Sequence, residues 1–346
     1  MPGIRVAFAP PSASTSSRER LEEVNAWPRE GTTPIRSIHV SQKGGPGRTL
    51  LDAAEQSLPA LGYTVAFSAL EAALGEALAR AGLRPSHGES CEHIALDPEG
   101  ATVRFSSGRE VRARLLVLAD GGANATRIPG IAFTEKDYGQ QAVVASIRTD
   151  RPHAFRAYER FTPEGPVALL PVGDRFALVW TAAPAAAQRL LALDDRDFLA
   201  GLQAHFGDRA GRFLDVTARA AFALKLRTVN VPVAMRTAII GNAAQALHPI
   251  AGQGLNLGLR DAATLAALLR STPRAQIGGA AMLDAYRDAR RRDASSGVIV
   301  TDLLVAAFSD PRRLPTLGRG LALAALDLFP PARRLLAERM IHGAPT

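Results

Sequence analysis

The stretch from Ala238 to Asp261 constrains this chain more than any other part of its sequence. An apolar run over 238–240 predicts a buried strand that ends at Gly241. A loop of small residues follows, and beyond it the pattern predicts a helix over 255–269. Small residues let the backbone approach a flat ligand, and the free N–H groups at a helix start favour negative charge. The stretch therefore predicts a strand, a loop and a helix that bind a flat ligand carrying negative charge, the alternative being a glycine-rich turn without a ligand.

The spacing of these residues resembles the second flavin-binding motif of the FAD-dependent aromatic hydroxylases. The matching positions are Gly241-Asn242, His248-Pro249, Gly252-Gln253-Gly254, Asn256 and Asp261. Asn242 and Gln245 stand where the family has Asp and His, a form that is similar to the ubiquinone-biosynthesis branch. The resemblance implies that FAD is held by Asn242, Pro249, Gly252, Gln253, Gly254, Leu255 and Asn256. It further implies structural roles for His248 and Asp261, the latter as a carboxylate that braces the loop or positions the helix.

A second motif, 120–127, follows another apolar run at 115–119 that predicts a buried parallel strand. Asp120 and Gly121 resemble the start of a family motif that lies near the dinucleotide, with Asn124 in place of the family's Ser. A carboxylate at a strand end can bind a hydroxyl, and Gly121 permits close backbone approach. The resemblance therefore implies that Asp120 and Gly121 contact FAD, the alternative being an ordinary turn.

Composition limits the classes of function that remain. The 346 residues carry a net charge of +8 but only 5% aromatic residues and no basic–aromatic nucleic-acid motif, so a membrane surface or an anionic cofactor is favoured over nucleic acid. Cys91 is the only cysteine, which excludes an intrachain disulfide, and no Cys/His cluster has metal-ligand spacing. No apolar run reaches ~18 residues and no secretory signal is recognisable, so we expect a cytoplasmic protein.

The order of predicted elements indicates an α/β (α+β) fold. Helical patterns are predicted at 18–24 and 70–81, the latter amphipathic and capped by Gly82, and a hairpin at 93–96 and 102–105 precedes a third strand at 111–113. Strands are predicted at 35–40, 141–148, 167–172 and 175–180, the last two joined by a hairpin turn at Gly173-Asp174. A helical insert is predicted at 195–205, and further helices at 279–293, 295–308 and 315–342.

This order predicts an incomplete Rossmann-like FAD-binding domain that is interrupted by an antiparallel β-sheet substrate domain, with C-terminal helices. We assign residues 1–129 to the first part of the FAD-binding domain, 130–232 to the substrate domain, 233–310 to the second part of the FAD-binding domain and 311–346 to a C-terminal helical segment. Arg290, Arg291 and Arg292 are predicted to lie on a solvated helix face.

The family's first glycine motif, Gly-x-Gly-x-x-Gly after a strand, is absent from this sequence. Gly44-Gly45-Pro46-Gly47 has the wrong spacing and precedes no predicted helix. We therefore expect an N-terminally shortened member of the family. The resulting hypotheses are an active enzyme and a truncated, inactive or scaffolding remnant.

The resemblance implies a monooxygenase that uses FAD, NAD(P)H and O₂ to hydroxylate a polyprenyl phenol, without an assignable catalytic base. Related flavoproteins, a prenyl reductase or a halogenase, are the alternatives, and none of the lysines Lys43, Lys136 and Lys225 lies in a recognisable halogenase motif. Basic and apolar residues alternate at helical spacing in 321–340, as in a helix on an anionic membrane, although a packed terminal helix fits equally. Peripheral contact with the inner membrane of a bacterium and membership of a ubiquinone-biosynthesis complex are therefore further hypotheses.

Overall fold

The computed structural model describes residues 12–43, 48–246 and 253–291, with Gln253 described by its backbone alone. These residues form two compact units. The first comprises the described residues of 12–75 and 138–224, and the second comprises those of 76–137 and 225–291. The described residues form a mixed α/β fold.

The strands in chain order are β1 (Ser12–Ala13), β2 (Thr32–Ile35), β3 (Ser37–Gln42), β4 (Arg48–Asp52), β5 (Gly62–Val65), β6 (Cys91–Asp97), β7 (Gly100–Phe105), β8 (Glu110–Ala113), β9 (Leu116–Leu118), β10 (Phe133–Thr149), β11 (Arg156–Phe161), β12 (Val167–Val172), β13 (Arg175–Ala182), β14 (Phe213–Val216), β15 (Ala220–Val229), β16 (Val233–Ala234), β17 (Thr237–Ile239) and β18 (Gln245–Ala246). The helices are α1 (Thr15–Glu23), α2 (Phe67–Arg80), α3 (Pro184–Ala192), α4 (Asp195–Phe206), α5 (Gln253–Ser271) and α6 (280–291).

The first unit is built on a sheet with the strand order β15-β10-β13-β12-β11-β3-β4, in which β14 also pairs with β10. Strands β10, β13, β12 and β11 pair antiparallel in turn, as do β3 and β4, whereas β11 and β3 run parallel. The residues of α3 and α4 pack on one face of this sheet. Its core there contains Val143, Ile147, Tyr158, Leu169, Phe176, Leu178, Trp180, Phe198, Leu202 and Phe206.

Several predictions for this unit are confirmed. The predicted strands at 141–148, 167–172 and 175–180 are parts of β10, β12 and β13, and the helical insert is α4. Gly173 has a φ of +58° in the tight turn between β12 and β13, a conformation that glycine adopts without steric cost. The predicted antiparallel hairpin is therefore present with the expected turn residue.

The predicted strand at 35–40 is wrong as one element. β2 belongs to a separate three-stranded sheet in the order β1-β5-β2, whereas β3 pairs with β11 and β4. The chain passes from one sheet to the other at Arg36, whose N–H donates to the carbonyl of Phe155 at 2.8 Å. Alternation of apolar residues continues through this change of sheet, so the pattern alone does not mark it.

The second unit contains a three-stranded sheet in the order β16-β17-β9, where β17 and β9 are parallel. The parallel strand that was predicted at 115–119 is therefore confirmed as β9, and the strand predicted at 238–240 is confirmed as β17. Helices α5 and α6 supply Leu265, Met282, Leu283 and Tyr286 to a core with Val233 and Ala238. Strands β6, β7 and β8 form the predicted hairpin and its third strand.

Helix α2 is present with its predicted cap but without the burial that its pattern suggested. Gly82 has a φ of +71°, and the N–H of Leu83 donates to the carbonyl of Leu78, as expected of a helix that ends in a left-handed residue. Of the apolar face that was predicted, Leu70 is buried, whereas Leu74 and Leu78 are 39% and 36% exposed. The amphipathic pattern thus predicted the position of α2 correctly, but the apolar face of the helix is less buried than the pattern predicted.

Other predictions lie outside the described residues. These are the positions His248, Pro249 and Gly252, residue Arg292, the helices at 295–308 and 315–342, and the C-terminal segment 311–346. The division into functional domains at 1–129, 130–232 and 233–310 stays a prediction, while in space β3 and β4 share a sheet with strands of the 130–232 segment.

Candidate FAD site

The two predicted flavin motifs lie at the ends of two neighbouring parallel strands in the second unit. Leu118 at the end of β9 pairs with Ile239 at the end of β17, and the Ile240 N–H donates to the Leu118 carbonyl at 3.0 Å. The carboxyl ends of parallel strands meet at one edge of a sheet, which is where nucleotides bind in α/β folds. Asp120 and Gly241 therefore follow the two strands at the same edge, although about 120 residues separate them in the sequence.

The Asp120 carboxylate organises the loop that follows β9. One oxygen accepts the N–H of Gly122 at 2.9 Å, and the other accepts the N–H of Asn124 at 2.9 Å and its side-chain amide at 2.7 Å. Asn124, which replaces the family's Ser, thus donates twice to Asp120. The Asp120 side chain remains exposed, so a ligand can reach it.

Gly121 and Gly122 have different roles in this loop. Gly121 has a φ of +70°, and no atom of the described residues lies within 4 Å of the place where a Cβ would stand. Gly122 has a φ of +91°, and a Cβ there would collide with the guanidinium of Arg227. The glycine pair therefore leaves one side of the loop free for a ligand and lets Arg227 close the other side.

Arg227 is a residue that the sequence analysis missed. Its guanidinium donates to the carbonyl of Gly121 and stacks over the ring of Phe133 at 4.2 Å. It places a fixed positive charge beside the Asp120 loop, in an aromatic contact that favours a cation. No sequence signal connects Arg227 with a loop 106 residues away, because the contact depends on the pairing of strands.

The loop after β17 packs directly against helix α5. Residues Gly241–Ala243 form a short 3₁₀ turn in which Gly241 has a φ of +60°. A Cβ at Gly258 would lie 3.2 Å from the Gly241 Cα, and a Cβ at Gly254 would lie 3.9 Å from the Asn242 Oδ1. The absence of side chains at 254 and 258 thus lets the turn and the start of the helix come together and presents Asn242 beside Gly254.

Asp261 fixes this arrangement from inside the protein. Its Oδ2 accepts the Gly241 N–H at 2.8 Å, and its Oδ1 accepts the Arg290 Nε–H at 2.6 Å. Asp261 is 2% exposed and Arg290 is 5% exposed. The prediction that Asp261 braces the loop is confirmed. The prediction of a solvated face is wrong for Arg290, because α6 turns this side chain inward to neutralise a buried carboxylate; Arg291 is exposed.

Tyr286 supports the same brace from α6. Its hydroxyl donates to the Ile239 carbonyl at the end of β17 at 3.3 Å, and burial raises the pKa of this hydroxyl above its usual range. The end of β17 is therefore held by Tyr286 and the turn after it by Asp261.

The remaining predicted FAD residues fall near the start of α5. Gly254 and Leu255 are half-buried, Asn256 is buried, and Gln253 begins the helix. Pro249 and Gly252 lie outside the described residues. Within the described part, the structure therefore brings Asp120 and Gly121 to one strand end and Asn242, Gly254, Leu255 and Asn256 to the adjoining turn and helix.

These residues fit an FAD molecule. The edge offers an exposed carboxylate at Asp120 for a hydroxyl, an unobstructed backbone at Gly121, an exposed amide at Asn242 and a glycine at the start of a helix. Arg227 and the N-terminal end of α5 both favour negative charge. Among the described residues, none of the helices is long and apolar enough to cross a membrane.

The sequence and the structure were compared with those of known proteins. A family model described as "FAD binding domain" matches residues 22–299. The ubiquinone hydroxylase UbiL of Rhodospirillum rubrum is 36% identical over 325 residues, which cover 91% of this chain and 75% of that protein. The 3-demethoxyubiquinol 3-hydroxylase of Escherichia coli is 32% identical over 295 residues, which cover 80% of this chain and 72% of that protein.

Solved structures agree with this fold. The structure of Klebsiella pneumoniae HpxO complexed with FAD and uric acid superposes with a TM-score of 0.72 at 18% identity, and the match covers 97% of this chain and 89% of that one. At this identity the likeness concerns the fold, and the sequence matches carry the assignment. The chain belongs to the FAD binding domain family, among the FAD-dependent hydroxylases of ubiquinone biosynthesis.

Proposed function

We propose that this chain hydroxylates the ring of a polyprenyl phenol in ubiquinone biosynthesis, with FAD as cofactor and NAD(P)H and O₂ as co-substrates. Within this branch its motifs are most similar to those of 2-polyprenyl-6-methoxyphenol hydroxylase. The observation that carries the proposal is the meeting of the Asp120-Gly121 and Gly241-Asn242 motifs at one sheet edge, in a chain that matches ubiquinone hydroxylases over most of its length.

The chain's own residues would act chiefly by binding and positioning the cofactor. Asp120 would accept a hydrogen bond from a hydroxyl group of the dinucleotide, and Gly121 would let the backbone approach the dinucleotide closely. Asn242 and Pro249 would lie along the ribitol, and Gly252, Gln253, Gly254, Leu255 and Asn256 would border the isoalloxazine. Bound FAD supplies the redox chemistry that activates oxygen, and the protein supplies orientation, electrostatics and exclusion of water.

Arg227 adds to this set. Its guanidinium is held by Phe133 and the Gly121 carbonyl, so its charge stands beside the loop that receives the dinucleotide. A positioned arginine is well suited to an anionic phosphate group. We therefore include Arg227 among the residues that stabilise bound FAD.

The test is aerobic turnover by the full 346-residue chain loaded with FAD. NAD(P)H oxidation and a product that has gained one oxygen atom are measured with a short-chain 2-polyprenyl phenol. We expect phenol-dependent oxidation and the hydroxylated product. Bound FAD without any oxygenated product would reject the hydroxylase and favour a scaffold or a flavoprotein of different chemistry, such as a prenyl reductase or a halogenase.

Peripheral membrane contact through residues 311–346, association with the inner membrane and membership of a ubiquinone-biosynthesis complex belong to the same proposal. They are supported by the alternation of basic and apolar residues in that segment and by the lipid tail of the proposed substrate. Cosedimentation with anionic phospholipid vesicles tests the membrane contact. Binding that disappears at high salt is expected, and no binding at low salt would contradict it.

A further inference from the structure

The sheet of the first unit has one face covered by helices and one face that carries an unusual carboxylate. On β11, Tyr158 points toward α4, where its ring lies 5.7 Å from that of Phe206. Side chains alternate along a strand, so Tyr158 and Arg160 share the helix-covered face and Glu159 lies on the opposite one. We call the surface around Glu159 on this opposite face the carboxylate face.

The neighbours of Glu159 on the carboxylate face are apolar. Glu159 pairs with Val40 of β3 on one side and with Ala168 of β12 on the other, and the row continues to Val179 of β13 and Val144 of β10. Paired residues point to the same face of a sheet. Val40, Glu159, Ala168 and Val179 are all partly accessible. The sheet thus presents an apolar strip with one carboxylate at its centre, the composition of a small-molecule site.

The protein does not satisfy this carboxylate itself. Within the described part of the chain, Glu159 has no hydrogen-bond or ion-pair partner, and burial alone raises its pKa to about 7. The same row contains Thr49, which pairs with Val40 and is 1% exposed, and its hydroxyl also has no hydrogen-bond partner among the described residues. An unsatisfied buried hydroxyl such as that of Thr49 is costly, and its persistence in the same row as an unpartnered carboxylate points to a functional use.

Among the described residues of β3 and β12, no charged side chain lies beside Glu159 on the carboxylate face. On the carboxylate face, the described residues of β3 and β12 nearest to it are Val40, Gln42, Ala168 and Leu170. The charged groups of this face, Arg148, Arg175 and Asp215, are paired with one another at its far end. Arg175 is four residues along β13 from Val179, which corresponds to roughly 13 Å.

We propose that Glu159 is the group that accepts the proton of the substrate's phenolic hydroxyl, with the ring lying on the apolar strip of Val40, Ala168 and Val179. This inference rests on the proposed function and adds the acid–base residue that the sequence motifs did not supply. The residues from which it is argued all lie in the first unit.

The proposed step is balanced without a further reactant. The phenolic O–H bond breaks, its electron pair stays on the phenolic oxygen, and a new O–H bond forms on the Glu159 carboxylate. The ring gains the negative charge that the carboxylate loses, so the net charge of the site is unchanged. A phenolate is a better nucleophile at its ring carbons than a phenol is, and a base whose pKa lies near the working pH transfers protons efficiently.

The experiment compares the FAD-loaded wild-type chain with Glu159→Gln, Glu159→Asp and a matched control, Glu99→Gln, whose side chain is 88% exposed. Formation of hydroxylated product from a short-chain 2-polyprenyl phenol is measured from pH 5.5 to 9. Because the base must be ionised, wild-type kcat/KM should rise with pH through about 7. Glu159→Gln should lose this rise and about 10²-fold in kcat, whereas Glu159→Asp should retain the rise and Glu99→Gln should match the wild type.

A stability measurement separates this role from a structural one. The folded-state pKa of Glu159 lies above its ordinary value of 4.5, so the free energy of unfolding falls as the pH rises from 4.5 to about 7. Glu159→Gln should therefore be at least as stable as the wild type toward urea at pH 8 while being less active. An equally active Glu159→Gln with an unchanged pH profile would overturn the inference and leave the hydroxylase standing, whereas a wild type that binds FAD but oxygenates no phenol would overturn the proposed function and the inference together.

Discussion

At the scale of single residues, Asp261 stabilises the turn that follows β17, where FAD is proposed to bind. Replacing it with Ala would leave the Arg290 guanidinium buried without its carboxylate and would free the Gly241 N–H. Breaking a buried ion pair by removing one partner typically costs roughly 3–5 kcal/mol. We predict a loss of that order in the free energy of unfolding, measured with urea, together with weaker FAD binding.

The control for this prediction is Arg287→Ala. Arg287 is one turn before Arg290 on α6, and its ion pairs with Asp284 and Asp288 are exposed. Exposed pairs contribute little because water and salt screen them. Arg287→Ala should leave the stability nearly unchanged, and an Asp261→Ala variant as stable as this control would refute the bracing role.

We predict that His205 makes the free energy of unfolding of the first unit depend on pH. Its Nε2 lies 3.1 Å from the Thr162 hydroxyl and its ring packs against Trp180, and burial with the nearby Lys43 lowers its pKa to about 4. The ordinary pKa of a histidine, 6.5, applies to the unfolded chain. Between pH 6.5 and about pH 4, His205 therefore binds a proton in the unfolded chain but not in the folded chain, so the free energy of unfolding falls as the pH falls.

Allowing for partial solvent screening, this effect should amount to about 1–2 kcal/mol between pH 7 and pH 4.5. Urea unfolding of His205→Gln should show a shallower loss over this range than the wild type, whereas His87→Gln, at an exposed position, should follow the wild type. Identical slopes for all three proteins would show that His205 is readily protonated in the folded state.

The single-residue predictions from the sequence succeeded where the contact was local and failed where it was not. The Gly82 cap involves residues within a few positions of one another, and the sequence predicted it. Arg290 was misassigned because a run of arginines on a helix is usually solvated, and only the packing of α6 shows that one of them meets Asp261.

At the scale of elements, the contact between the Gly241 turn and helix α5 holds the residues of the second predicted flavin motif together. A Cβ at Gly258 would stand 3.2 Å from the Gly241 Cα, so Gly258→Ala should displace the turn by a few tenths of an ångström. Alanine also favours the helix by up to about 1 kcal/mol, which should offset the strain in overall stability. We predict an FAD affinity reduced roughly tenfold, equivalent to about 1.4 kcal/mol, with little change in the unfolding midpoint.

Gly201→Ala supplies the matched change in another helix. Gly201 lies within α4, and no atom stands within 4 Å of the place of its Cβ. This variant should gain up to about 1 kcal/mol in stability and bind FAD as the wild type does. Unaltered FAD titration by Gly258→Ala would indicate that the turn does not need this close approach.

Elements were more predictable than their assignment to sheets. Periodicity located α2, α4, α5, β12 and β13 because each has a continuous pattern and a clear turn at its end. It did not separate β2 from β3, since a strand's alternation carries no information about its partner. It also could not place Glu159 among apolar neighbours from β3, β12 and β13, because that environment arises from register across distant segments.

At the scale of the whole molecule, the sequence predicted an α/β fold with buried parallel strands and an antiparallel sheet. The parallel pair β9 and β17 lies in the second unit and the mainly antiparallel sheet in the first. The two flavin motifs were identified from their resemblance to a family, and the fold explains their spacing through the parallel pairing of β9 with β17. The sequence comparisons, with family residues matched over 22–299, assign this combination to FAD-dependent hydroxylases.

The central claim is that this chain holds FAD at the edge formed by β9 and β17. The most direct measurement is the visible absorption spectrum of the purified chain after incubation with FAD and desalting, with Asp261→Ala and Arg287→Ala treated in the same way. We predict flavin bands that remain with the wild type and Arg287→Ala and are diminished with Asp261→Ala. A folded wild-type chain that emerges without flavin absorption would contradict the account.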